Sequence, residues 1–210
     1  MIALPTLGRL ARPRRTVSAG TSCEICGTAL DAQHRHIAEL EAHRLLCTCE
    51  VCALVHERTE VTSRFRAVPK HVRALPADVV TTGDLDALGV PVGLSFFFRA
   101  STLARWVAIF PSVAGATEAP VRDEIFERVL ARAGLDRPGA IAEDVEALLV
   151  RRERGRISSA FVVPIDVCYE LVALLRTYWE GIDGGDMAKA KLDELFATID
   201  ARACQEGSGR

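Results

Sequence analysis

Cys23-Glu24-Ile25-Cys26-Gly27 and, with 22 residues between Cys26 and Cys49, Cys49-Glu50-Val51-Cys52 are the two segments that organise this chain. Each Cys-x2-Cys lets two thiolates converge on one ion without strain, and two such pairs make a tetrahedral metal site. Gly27 suits a tight knuckle, where a positive φ turns backbone amides toward the sulfurs. Between the pairs, residues 34–40 and 43–49 are two strand-length runs around Glu41-Ala42. After Cys49, residues 50–56 read as a helix start. Knuckle, hairpin and helix in that order make a treble-clef-like metal-binding module over residues 21–58. The helix N-terminus would place its free amides near negative thiolates.

The hairpin carries a second signal. A two-residue turn at Glu41-Ala42 pairs His36 with Cys47 and His34 with Cys49. Side chains two apart on a strand share a face, so His34, His36, Cys47 and Cys49 are expected on one side. The expected metal ligands are Cys23, Cys26, Cys49 and Cys52. Cys47, His34 and His36 are additional ligands or groups that support the first four. His43, His56 and His71 lack such a pattern and read as surface residues.

Outward from the module, residues 1–20 read as a basic flexible arm with Arg9, Arg12, Arg14 and Arg15. Residues 59–83 form a connecting segment broken by Pro69 and Pro76. Residues 84–204 read as an α+β domain, and 205–210 as a flexible tail. In that domain, residues 92–98 and 105–110 predict one hairpin, and residues 145–151 with 161–165 a second around Glu153-Arg154-Gly155-Arg156. Pro111 to Thr117 reads as a loop and Pro120 as the opening of a helix. Further helices follow Asp166, read as an N-cap, and span about Asp186 to Ala203. The fold class is therefore α+β, with an antiparallel sheet of two hairpins packed by about three helices.

Composition narrows the function. The net charge of -2 excludes a strongly basic nucleic-acid coat. Residues 1–76 nevertheless carry a net +4, all five His and five of the seven Cys. No apolar run is long enough for a membrane helix, and the opening residues lack the order of a secretory signal. A cytoplasmic setting follows, where clustered thiols signal metal chemistry more than disulfides. Cys168 falls in an apolar helical pattern and reads as a small buried hydrophobe. No Gly-x-Gly-x-x-Gly, P-loop, His-Glu-x-x-His or Gly-x-Ser-x-Gly motif occurs, so the chain reads as non-enzymatic. The acidic pairs Asp144/Glu146 and Asp166/Glu170 read as solvated faces or caps.

The chain resembles an uncharacterised bacterial family from about Arg14 to Gly185. The likeness rests on residues 23–27, His34-Arg35-His36, residues 45–54, Arg64 to Pro69, Val92 to Arg99, Pro111 to Glu118, Asp144 to Val150 and Val163 to Val172. The resemblance implies a companion of NiFe-hydrogenases, encoded beside hydrogenase subunits and maturation factors. It implies no activity for any residue.

Together these features predict a zinc-binding accessory protein that assists hydrogenase assembly through protein–protein contacts. Arg99 and Glu118, beside apolar or glycine-rich turns, are candidate partner-binding residues. An alternative is an electron carrier with iron or an iron–sulfur cluster at the same Cys. Zinc is favoured because a helix, not a second glycine knuckle, follows the second pair. Nucleic-acid binding through Arg64, Phe65, Arg66, Lys70 and Arg73 is a weaker alternative. Nickel delivery through His34, His36 and Cys47 is another.

Overall fold

The computed structural model describes residues 22–57, 64–76, 78–90, 93–112, 115–180 and 184–207. The expected basic arm lies outside the described residues. The chain divides into two compact units, Met1–Lys70 and His71–Arg210.

In the first unit, β1 (Arg35–Glu39) and β2 (Arg44–Thr48) form an antiparallel hairpin. His43 N donates to Leu40 O at 3.3 Å, closing a turn around Glu41-Ala42, and His43 takes φ +48°. That turn sets the expected register, with His36 opposite Cys47. Helix α1 (Glu50–Glu57) follows the hairpin. A third strand, β3 (Phe65–Ala67), pairs with β1 and completes the order β2-β1-β3. The sequence reading placed β3 in a connecting segment. Three residues are too short to show an alternation of burial, and β3 is half-buried throughout.

The second unit is a six-stranded antiparallel sheet with helices on both faces. Its strands are β4 (Arg73–Ala74), β5 (Leu94–Ala100), β6 (Arg105–Ser112), β7 (Gly115–Pro120), β8 (Glu146–Glu153) and β9 (Arg156–Pro164). Their spatial order is β4-β9-β8-β5-β6-β7. Short α2 (Thr82–Ala87) and α3 (Asp123–Arg132) belong to one layer, where Phe97 of β5 and Trp106 of β6 stack on Phe126 of α3. The other layer holds α4 (Ile165–Tyr178) and α5 (Gly185–Gly207). There Leu171 and Leu175 of α4 approach Phe96 and Ile109, and Phe196 of α5 lies 6.4 Å from Phe161. With both faces covered, Glu146 to Val150 are buried without alternation. This explains why that run gives no clean period in the sequence.

Both expected hairpins form. Arg154 and Gly155 supply two positive φ values, +49° and +76°, in the β8–β9 turn. Three expectations need correction. Pro111 to Thr117, read as a loop, supplies the end of β6 and the start of β7. Pro111 is tolerated because β5 pairs with β6 only as far as Ile109. Pro120 ends edge strand β7 instead of opening a helix, and α3 begins at Asp123. Asp166 lies inside α4, whose N-cap is Pro164, and Asp166 Oδ1 accepts from Val167 N at 2.9 Å.

Two more elements, besides β3, fall in the expected connecting segment or at its edge. Helix α2 is announced by a Thr81/Asp84 capping box, with Thr81 N donating to Asp84 Oδ2 at 2.8 Å and Asp84 N to Thr81 Oγ1 at 3.2 Å. Strand β4 is a two-residue pairing partner of β9. The last helix also continues to Gly207, past the expected start of a tail.

Candidate metal centre

The four Cys of the two Cys-x2-Cys pairs come from three local structures. A bridge between Ser22 and Ala29 closes the knuckle. Inside it Cys23 N donates to Thr28 O at 2.7 Å and Gly27 N to Cys23 O at 2.8 Å. Gly27 has φ +78°, and a Cβ there would meet nothing, so the backbone conformation alone asks for glycine. Cys49 sits between β2 and α1, and its carbonyl accepts from Ala53 N at 3.0 Å as the first bond of the helix. Cys52 therefore stands on the first turn of α1. Glu24 locks the knuckle to β2, its N donating to Cys47 O at 2.9 Å and its Oε2 accepting from Cys47 N at 2.6 Å.

These elements bring the Sγ atoms of Cys23, Cys26, Cys49 and Cys52 within 4.8 Å of one another. Cys26 Sγ and Cys49 Sγ are 3.7 Å apart. A tetrahedral ion with metal–sulfur bonds of about 2.3 Å separates its sulfurs by about 3.8 Å. A disulfide would need about 2.05 Å. The donor set and its spacing thus fit a tetrathiolate metal site.

The electrostatics fit too. The Thr28 hydroxyl, 3.3 Å from Cys26 Sγ, and the Thr28 amide hold the Cys26 thiol down to about 6. At Cys23, burial opposes ionisation, but amides of Cys26, Cys49 and Ile25 outweigh it and lower the thiol. Burial, and then the neighbouring Cys49, Cys26 and Cys23, push Cys52 up to about 12. Four thiols crowded together cannot all ionise in the absence of a cation among them. A divalent ion would remove that conflict.

The hairpin register sorts the remaining predicted ligands. His34, His36 and Cys47 each bring one ligand atom within 4.8 Å of the others. Cys49, at the residue where the chain passes from β2 to α1, belongs to the four-Cys group and is not one of the three in the His/Cys group.

Two charged clusters hold the module around the site. Arg35 is buried, and its guanidinium donates to Glu50 Oε1 at 2.9 Å, to Glu57, and to Val68 O at 3.2 Å. It clips both ends of α1 to β1. Glu39 is also buried and accepts from Arg44 and Arg64, which hold its carboxyl below the usual range. Lys70 pairs with Glu50 at 2.7 Å, and this with Arg35 lowers Glu50. Of the basic residues weighed for nucleic acid, Arg64 and Lys70 are thus matched by carboxylates, and Arg73 donates to Ala140 O.

Elsewhere, Arg99 pairs with Glu143 at 2.7 Å, and Glu118 lies on edge strand β7 opposite Ile109. Cys168 is buried, and burial, with Asp166, raises its thiol, as suits an inert hydrophobe. Cys204 is exposed on α5. Glu146, expected on a solvated face, is buried, accepting from Ala142 N at 2.8 Å with His71 Nε2 3.2 Å away. The His71–Glu146 pairing spans 75 positions and left no local signal. His71, Arg73, Arg137 and Glu146 line an open cleft on the second unit.

A family model described as a family of unknown function matches residues 22–203. The chain belongs to family DUF5947. The match covers both Cys-x2-Cys pairs, the His/Cys cluster and the whole six-stranded sheet of this DUF5947 member. It supports the expectation of an uncharacterised family. No curated protein and no solved structure matches the chain.

Proposed function

We propose that this protein is a non-enzymatic, cytoplasmic accessory protein whose zinc, held by Cys23, Cys26, Cys49 and Cys52, staples a module that docks on a protein partner. The observation that carries the reading is the apolar surface beside the ligands. Ile25, inside the first Cys-x2-Cys, is 45% exposed, and Val51, inside the second, is 69% exposed. Leu54 and Val55 of α1 are also exposed. Val51, Leu54 and Val55 stand at i, i+3 and i+4, one stripe of the helix. Large apolar side chains grouped this way are what a helix offers to a partner's groove. Among the described residues no helix is long and apolar enough to cross a membrane.

The partner is a NiFe-hydrogenase subunit or maturation factor. That assignment rests on the family resemblance read from the sequence motifs. Bound zinc supplies no redox chemistry here; it fixes the relative positions of knuckle, hairpin and helix.

Two measurements test this. Protein purified without added metal should be colourless and hold zinc. Bound iron with a visible charge-transfer band would replace this reading with the electron-transfer alternative. In cells, a Val51→Asp/Leu54→Asp variant that keeps its zinc should lose co-purification with the hydrogenase component and lower hydrogenase activity. Unchanged hydrogenase assembly in that variant and in a gene deletion would refute the accessory role.

A further inference from the structure

We propose that His34, His36 and Cys47 form a second metal site, separate from the four-Cys site, that binds a divalent transition-metal ion such as Zn(II) through two imidazoles and one thiolate. Their ligand atoms already lie within 4.8 Å of one another. The hairpin register places them together: His36 is directly opposite Cys47, and His34 is two residues before His36. The rings of His34 and His36 meet edge to face with centroids 4.9 Å apart.

The state of His34 is what distinguishes this from a chance grouping. Its Nδ1 lies 2.9 Å from Asp31 O. A carbonyl oxygen can only accept, so in the neutral ring Nδ1 carries the proton and the lone pair is on Nε2. That Nε2 is buried and has no hydrogen-bond partner. A buried nitrogen lone pair without a donor is an uncompensated loss of hydration, and a metal ion restores it. An imidazole whose other nitrogen donates to a backbone carbonyl is also the usual arrangement of a metal-ligating histidine. Cys47 is buried, so its thiol has little use for water, whereas its thiolate would need a cation.

Imidazole and thiolate together suit zinc, copper, nickel and cobalt, and do not suit calcium or magnesium. Three protein ligands leave a fourth position of a tetrahedral ion open to water or to an incoming ligand. The four-Cys site is closed by comparison. The second ion is therefore the exchangeable one, removed by a chelator before the first.

The test is Co(II) titration of the untagged, metal-free, reduced full-length chain, followed by absorbance, with X-ray absorption on the Zn(II)-loaded form. The wild type should take up two ions per chain, with two different thiolate-to-metal spectra. His34→Gln and Cys47→Ala should each stop at one ion while the four-thiolate spectrum is retained. The zinc shell of the wild type should contain imidazole nitrogen beside sulfur. Saturation at one ion with a sulfur-only shell overturns the second site and leaves the four-Cys reading standing. One ion in a mixed nitrogen–sulfur shell does the reverse. If both variants still bind two ions, the assignment to these residues is wrong. If either variant loses its fold, the wild-type shell decides: sulfur alone overturns the proposal, and imidazole with two ions per chain upholds it.

Discussion

Stripping the metal from the four-Cys site should unfold the first unit and leave the core of the second intact. The first unit offers roughly 40 described residues, the size at which a domain usually needs a metal or disulfides. Among those described residues, the large buried aliphatic side chains are Ile37, Leu45, Leu46 and Val68, joined by Ala38, Ala53, Cys23 and Cys47. Structural zinc in small modules contributes about 10–16 kcal/mol to folding near neutral pH. That matches or exceeds the whole stability of an ordinary domain, about 5–15 kcal/mol. The second unit has its own core of Phe97, Phe126, Leu148, Leu149, Leu171 and Ile199, all fully buried. Hydrogen exchange on the full chain, with and without a chelator, reads both units at once. In the metal-free protein, amides of β1 and β2 should exchange at the rate of an unfolded chain. Amides of β8 and β9 should keep their protection. Protected hairpin amides in a sample shown to be metal-free would refute the reasoning, because the hairpin would then be stable on its small core alone.

Other perturbations follow from the same geometry. Arg35→Met removes the clip between β1 and α1; Glu50 and Glu57 are half-exposed and regain water, but Val68 O loses its donor. A loss of about 2 kcal/mol is expected in urea unfolding of the metal-loaded protein. Leu148→Ala, at a fully buried position on β8, should cost about 2–5 kcal/mol in the thermal unfolding of the second unit. Gly93→Ala places a Cβ 2.8 Å from Arg152 O, a backbone atom that cannot swing aside, so it should destabilise that unit by about 1–3 kcal/mol in the same assay. Glu39, held below its ordinary 4.5 by Arg44 and Arg64, contributes stability present above 4.5 and lost as pH falls through its folded value. The difference in stability between wild type and Glu39→Gln, followed by circular dichroism, should therefore shrink as pH drops below 4.5; a constant difference would remove the ion-pair explanation.

The sequence makes the candidate metal module legible because its determinants are local. A Cys-x2-Cys, a glycine after it and a two-residue turn fix their own geometry within a few positions, and the register His36–Cys47 follows from the turn alone. The hairpins of the second unit are legible for the same reason, through Arg154-Gly155 and the run of Phe96, Phe97 and Phe98. Strands β3, β4 and β7 are different. β3 and β4 are short and each is recruited by a strand far along the chain, while β7 pairs with its sequence neighbour β6 but is rich in small residues and proline, so pairing and not local propensity sets all three. Helix α2 was the avoidable miss, since Thr81 and Asp84 carry a capping box at the right spacing. Glu146 misled because a carboxylate read as solvated is buried, with Ala142 N and His71 beside it, contacts that no local pattern announces.

The exposed face of α1 also follows from the metal reading once the packing is counted. An eight-residue helix in a small module would ordinarily have to bury an apolar stripe to be stable. Here Ala53 is the one residue of α1 that is buried. The Arg35 bonds to Glu50 and Glu57 hold the helix at both ends, and a metal bound by Cys49 and Cys52 would hold its first turn as well. Anchoring by ligands and ion pairs leaves Val51, Leu54 and Val55 outside the core. Under the proposed function, the metal and the docking surface would therefore be coupled. Loss of the ion would remove the anchor that holds the stripe in one conformation, so a partner that read the stripe would also read whether the module is metalated. A partner that bound the metal-free and zinc-loaded chains with equal affinity would show that the stripe is not what it recognises.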